Sequence, residues 1–111
     1  MKDLDLRYPT CPIRNILSRM SDKWSLLILR SLQKNGTMRY KELMAAIPDI
    51  SQKMLSSTLK RLEEDHLINR KMYPEIPPRV EYKLTETAKE LMPALQMMID
   101  WAQVHFEVIT R

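Results

Sequence analysis

The 111-residue sequence predicts a mainly α fold with a small β-hairpin. Three observations carry this. Apolar residues recur at helical spacing in most of the chain. Two short runs, LINRKMY (67–73) and RVEYKL (79–84), alternate instead, with Val80, Tyr82 and Leu84 on the inward side of the second. Between two of the helical segments, Pro48-Asp49-Ile50 makes a tight break. One domain is the expectation at this length.

Taken in order, residues 1–10 read as an exposed arm ended by Pro9, and residues 11–108 as the domain. Pro12 suits a first helical position after Cys11, and a short helix follows to about Met20. Ser21 is the expected cap of the next helix, roughly 22–34, whose stretch WSLLILRSL is apolar almost all round and therefore central and buried. Asn35-Gly36 ends it with residues that tolerate a left-handed backbone. TMRY can pair as a very short strand, and YKELMAAI is a two-turn helix. Ser51 caps a fourth helix, in which Leu55, Leu59 and Leu62 form one narrow apolar stripe. Thr85 caps a last helix over 85–108, where Pro93 removes one hydrogen bond and predicts a kink or restart near residues 89–93. Two helices across a tight break, then a hairpin, then a helix, is the order of a winged helix-turn-helix with an added C-terminal helix.

Composition narrows the function classes. A single glycine leaves no room for a dinucleotide fingerprint or a phosphate-cradling loop. Apolar runs such as Leu26–Leu29 are short, so no membrane partner is expected, and no signal-peptide pattern opens the chain. One cysteine points to the cytoplasm. Net charge is +4, with the basic excess in the first three quarters and an acidic tail, which suits a polyanionic partner for the body. His66 and His105 lack the paired spacing of a metal site. No catalytic residue, metal or cofactor is predicted.

On a helical wheel the face of the fourth helix opposite its leucines carries Lys53, Ser57 and Lys60, flanked by Gln52 and Ser56. Cations and small hydrogen-bonding groups are what a major groove needs, although any solvated helix has a polar face. The segment YPEIPPRVEY raises a related question at the hairpin tip. Prolines there stiffen a loop that, with Arg79 at its base, can reach a minor groove; they also blunt a sheet edge against aggregation. Lys71, on the hairpin, is a further candidate contact.

The stretches CPIRNILSRMSDKWSLLILRSL, MRYKEL, IPDISQKMLSSTLKRLEEDHLINRKMYPEIPPRVEYKLTE and LMPALQMMIDWA resemble the HxlR-type winged-helix transcription regulators of bacteria and archaea, relatives of the MarR group. The resemblance covers about residues 11–102. It implies a homodimeric, sequence-specific binder of double-stranded DNA at a pseudo-palindromic operator, with the helix from Ser51 in the major groove. It adds Arg39, at the start of the preceding helix, as a phosphate contact. It also implies a small-molecule effector or a redox or electrophile signal, since some members sense oxidants through a cysteine at the Cys11 motif. Arg14, one turn on, and the helix dipole both favour a thiolate there; a packing role is the plainer alternative.

The last helix is too apolar for one packing face. Leu91, Leu95, Met98 and Ala102 make one stripe, and Met97, Trp101, Val104 and Val108 a second, widened by Phe106. One closes the core and the other meets a second subunit. The expected interface set is Leu91, Leu95, Met98, Trp101, Ala102 and Phe106. The alternative function is a winged-helix module that binds another protein and no DNA; its fourth helix would carry large apolar anchors where this one carries Lys and Ser.

Overall fold

The computed structural model describes residues 4–111. Five helices and three strands follow in the order α1 (Pro12–Met20), α2 (Lys23–Asn35), β1 (Met38–Arg39), α3 (Tyr40–Ala46), α4 (Gln52–Glu64), β2 (Ile68–Tyr73), β3 (Arg79–Leu84) and α5 (Glu86–Ile109). The strands form one antiparallel sheet in the order β1-β3-β2. Ile68 faces Leu84 and Tyr73 faces Arg79 across the hairpin, while Met38 faces Tyr82 on the other side of β3. The tiny first strand therefore completes the sheet, which is the winged helix-turn-helix arrangement.

Helix α2 runs through the centre. Ile28, Leu29 and Leu32 are at most 2% exposed and pack with Leu43 of α3, the leucines of α4 and Met92 of α5 in one core. Burial is less complete than the sequence suggests, because Leu27 stands 38% exposed on the outer side. The cap also differs: Ser21 closes the C-terminal end of α1, and Asp22 is the N-cap of α2. A carboxylate is the better anion at a helix N-terminus. Gly36 ends α2 with a φ of 75°, a conformation that disfavours any residue with a Cβ.

In the helix-turn-helix, the Ile50 amide donates to the Ile47 carbonyl at 3.1 Å. Both isoleucines are 4% exposed, so the turn is pinned to the core while Pro48 and Asp49 form its outer corner. The Ser51 hydroxyl accepts from the Met54 amide, as an N-cap should. At the other end of α4, His66 takes a left-handed φ of 61° and the Leu67 amide reaches back to the Leu62 carbonyl. A residue without glycine's freedom thus closes the helix through a 6→1 bond.

Two readings of the later elements change. The alternation of β2 does not translate into an inward side: Ile68 is its one buried residue, Tyr73 is half-buried and Met72 is 58% exposed. Among the described residues the core ends at the base of the hairpin. Helix α5 does not restart at Pro93 but runs through it from Glu86 to Ile109. Pro93 sits on the exposed side of the helix. Residues 5–10, part of the expected arm, are largely exposed yet tied to α1. Asn15, 7% exposed, accepts from the Asp5 amide and donates to the Tyr8 and Cys11 carbonyls. The first three residues of that arm lie outside the described part of the chain.

Asp22 also joins α2 to α4. Its carboxylate accepts from the Ser25 hydroxyl at 2.6 Å and from Arg61 Nη2 at 2.9 Å. Burial opposes the charge, but the Ser25 hydroxyl and amide, and then Arg61, hold this carboxyl below its ordinary value. A lowered folded-state pKa stabilises the protein above the ordinary carboxylate value of about 3.9 and ceases to do so as pH falls through the folded value. Asp22→Ala is expected to lose about 1–2 kcal/mol at neutral pH, the worth of an N-cap. Urea unfolding of both proteins should show that difference shrinking in acid; a gap independent of pH would count against the ion pair.

Candidate nucleic-acid interface

Leu55, Leu59 and Leu62 are 0–2% exposed, and they lock the rotation of α4. Gln52, Lys53, Ser56, Ser57 and Lys60 are all exposed as a result, on the side away from the core. Thr58, outside the sequence-predicted stripe, is fully buried and its hydroxyl has no hydrogen-bond partner. Met54 is 39% exposed between Lys53 and the serines and adds an apolar contact that suits a thymine methyl.

Tyr40 links this helix to the rest of the face. Its hydroxyl donates to the Gln52 carbonyl at 3.1 Å and lies 3.0 Å from Ser56 Oγ. The same residue, with Arg39 and Lys41, lines a cleft of about 580 Å³ whose other wall is the hairpin tip, Glu75–Val80. The outward face of α4, the start of α3 and the wing therefore lie on one continuous side. Arg39 is exposed there, with its amide donating to Glu42 Oε1 at 2.8 Å. Sequence reasoning missed Tyr40 because periodicity gives it only a place at a strand–helix junction. Nothing in the local pattern shows that its ring crosses to a helix twelve residues on.

The wing is built around Tyr73. Arg79 stacks on this ring at 4.1 Å to the centroid, and Lys71 approaches at 5.0 Å. Arg79 Nε is 3.3 Å from a Glu75 carboxylate oxygen and 3.5 Å from one of Glu81. It is buried and aimed squarely at neither, so the contact is ionic pairing without a well-directed hydrogen bond. The sequence suggested a cation offered outward; Arg79 is instead a brace. It ties the tip residue Glu75 to the strand residue Glu81 and neutralises acids that would repel a phosphate backbone. Lys71 remains exposed, and Ile76, at the tip, is fully exposed.

The remaining candidates lie away from this face. Cys11 is half-buried and is the N-cap of α1, without a side-chain cap bond. The Arg14 guanidinium lies over the Tyr8 ring at 3.5 Å. Among the expected interface residues, Leu95 is only 6% exposed and belongs to the subunit's own core, and Leu91 packs partly against that core. Both therefore have little area left to offer a partner. Met98, Trp101, Ala102 and Phe106 are exposed, and every residue from Asp100 onward is exposed. Among the described residues there is no cluster of potential metal ligands, and no helix is long and apolar enough to cross a membrane.

An exposed cationic helix, a turn pinned to the core and a wing on the same side define a helix-turn-helix transcriptional regulator. The profile of the HxlR-like helix-turn-helix family matches residues 19–110, and the chain belongs to that family. An uncharacterised HTH-type transcriptional regulator of Methanothermobacter thermautotrophicus is 42% identical over 95 residues, spanning 86% of this chain and 72% of its own. Among solved structures, the redox regulator HypR in its reduced form superposes with a TM-score of 0.84 at 31% identity, over 90% of this chain and 98% of that one. The reduced form of the transcriptional regulator YodB from B. subtilis gives 0.73 at 39% identity, over 84% and 91%. HypR has also been solved oxidised, and YodB after diamide treatment. The family consists of regulators rather than enzymes, and membership implies DNA binding.

Because Arg79 holds the wing together from inside, Arg79→Ala is expected to loosen residues 74–78 even without DNA. Amide exchange of Glu75 and Ile76 should quicken by about an order of magnitude, the equivalent of roughly 1.4 kcal/mol. Unchanged exchange would leave Arg79 as an ordinary surface cation.

Proposed function

We propose that the chain acts in the cytoplasm as a homodimeric regulator that lays α4 into the major groove of a pseudo-palindromic operator. The single observation behind this is the common side shared by the exposed Gln52–Lys60 face, Arg39 and the wing, joined through Tyr40. Gln52, Lys53 and Lys60 meet base edges or the flanking phosphates, and Ser56 and Ser57 meet base edges. Arg39 and Lys71 meet phosphates, and Arg79 shapes the wing that flanks the groove. A protein-binding module would need apolar anchors at those positions, and only Met54 is apolar there.

If Lys60 holds the duplex, Lys60→Ala should weaken binding by about 1–3 kcal/mol when the residue reads a base. When it holds a phosphate, the loss should be even across sequences and the log–log salt slope should flatten by about one. Fluorescence anisotropy over a salt series separates these outcomes. Wild-type affinity and slope in both Lys53→Ala and Lys60→Ala would remove the assignment.

The dimer reading rests on α5 and α1. Met97, Met98, Trp101, Val104 and Phe106 are 55–77% exposed, and Ile13, Ile16 and Leu17 of α1 are 49–62% exposed. Apolar surface of this extent marks an interaction site, and a two-fold copy is the partner that an operator with two half-sites requires. Its recognition helices would sit about 34 Å apart, one DNA turn.

A second reading concerns signalling. Cys11 stands at the start of α1, two residues before the exposed Ile13, and two proteins of similar structure, HypR and YodB, were each solved in two states, oxidised and reduced or reduced and diamide-treated. We propose that an external two-electron oxidant joins Cys11 to the partner's Cys11 or to a small thiol as a disulfide, with both thiol protons released, and that this changes operator affinity. One set of sizing columns and non-reducing gels tests both ideas. Trp101→Glu should convert dimer to monomer, and diamide should modify Cys11 in the wild type and alter its DNA affinity. A dimeric Trp101→Glu variant sinks the interface, and an unmodified Cys11 sinks the sensor.

A further inference from the structure

The hydrogen-bonding protons on the outward face of α4 decide what its two serines can read. Tyr40 Oη is 3.1 Å from the Gln52 carbonyl oxygen and 3.0 Å from Ser56 Oγ. A carbonyl only accepts, so the single phenolic proton goes to Gln52. Were it turned to Ser56, two oxygens would face each other at 3.1 Å with no proton between them. The arrangement that satisfies both contacts has Tyr40 donating to Gln52 and Ser56 donating to Tyr40. Ser57 is in the same condition through another partner, since its hydroxyl donates to the Met54 carbonyl at 3.1 Å. Both serine protons are spent inside the protein, and both oxygens turn only lone pairs outward.

Resting on the DNA-binding reading above, we propose that Ser56 and Ser57 are acceptor-only readers of exocyclic base amines, adenine N6 or cytosine N4. Tyr40 is the positioning residue that imposes this on Ser56. Those amines are the donors of the major-groove edges, whereas guanine O6 and N7, adenine N7 and thymine O4 accept. An oxygen with no proton to give is repelled by each of these acceptors and by phosphate oxygens alike. The serines therefore discriminate by hydrogen-bond polarity and take no part in backbone contacts. Lys53 and Lys60 are donors only and cover the opposite polarity. The face thus carries a mixed code in which the positions opposite the serines must be adenine or cytosine.

The test begins with selection of preferred duplexes from a random library by the full chain; failure to enrich any sequence overturns the DNA-binding reading itself. In the enriched site each adenine is then replaced by nebularine and each cytosine by 2-pyrimidinone, which lack only the amine. At one or more positions the wild type is expected to lose about fivefold in affinity, the net worth of one hydrogen bond. Ser56→Ala or Ser57→Ala should erase that penalty at its own position. Tyr40→Phe should shrink the penalty at the Ser56 position alone, because the released hydroxyl can rotate and donate, while the Ser57 position keeps its own. Enriched sites whose amine deletions are silent, or penalties untouched by all three variants, overturn the proposal and leave DNA binding standing.

Discussion

Leu55, Leu59 and Leu62 decide the rotation of α4, and everything on the outward face follows from that rotation. Each is essentially inaccessible to water, and exposing even one would cost about 1.5–3 kcal/mol. A helix so anchored cannot roll, so its polar side chains keep one fixed orientation without any contact of their own. The tight turn from Ile47 to Ile50, with both isoleucines in the core, sets the helix entry point. The Asp22–Arg61 pair joins the same helix to α2 from the other direction.

The wing obeys a different logic. Its base is held by the ladder between β2 and β3, but its distal residues have no core beneath them. Order there comes from φ-restricted prolines and from charge: one guanidinium between two carboxylates, laid on a tyrosine ring. Interactions of this kind are weaker than burial and sensitive to salt. The protein thus couples a rigidly anchored helix to a wing whose shape depends on its ionic surroundings.

Much of this was readable from the sequence because it is periodic or capped. The helix bounds of α1 and α4, the caps Ser51 and Thr85, and the inward residues of β3 all announce themselves locally. So does the exposure of Lys53, Ser57 and Lys60, which is the complement of a leucine stripe. What escaped depends on contacts distant in sequence. Tyr40 reaching Ser56, Arg79 turning to Glu75 and Glu81, and Leu95 belonging to the inner side of α5 are decided by packing angles that no spacing encodes. The choice of Asp22 over Ser21 as a cap was a local ambiguity, settled by the register at which α1 stops. Pro93 does not end α5, on whose exposed side it falls.

The overhanging end of α5 has a further meaning. Beyond Ile99 the helix runs roughly 15 Å at 1.5 Å per residue with every side chain exposed. Short helical segments without tertiary support are marginal in water. The last turns therefore gain their permanence only when another surface covers them, so that completing the secondary structure and recruiting a companion are one cooperative event. Under the proposed pairing, supply and competence would be linked: at low abundance the tail would fray, and the mutual orientation of the two α4 helices would be lost with it.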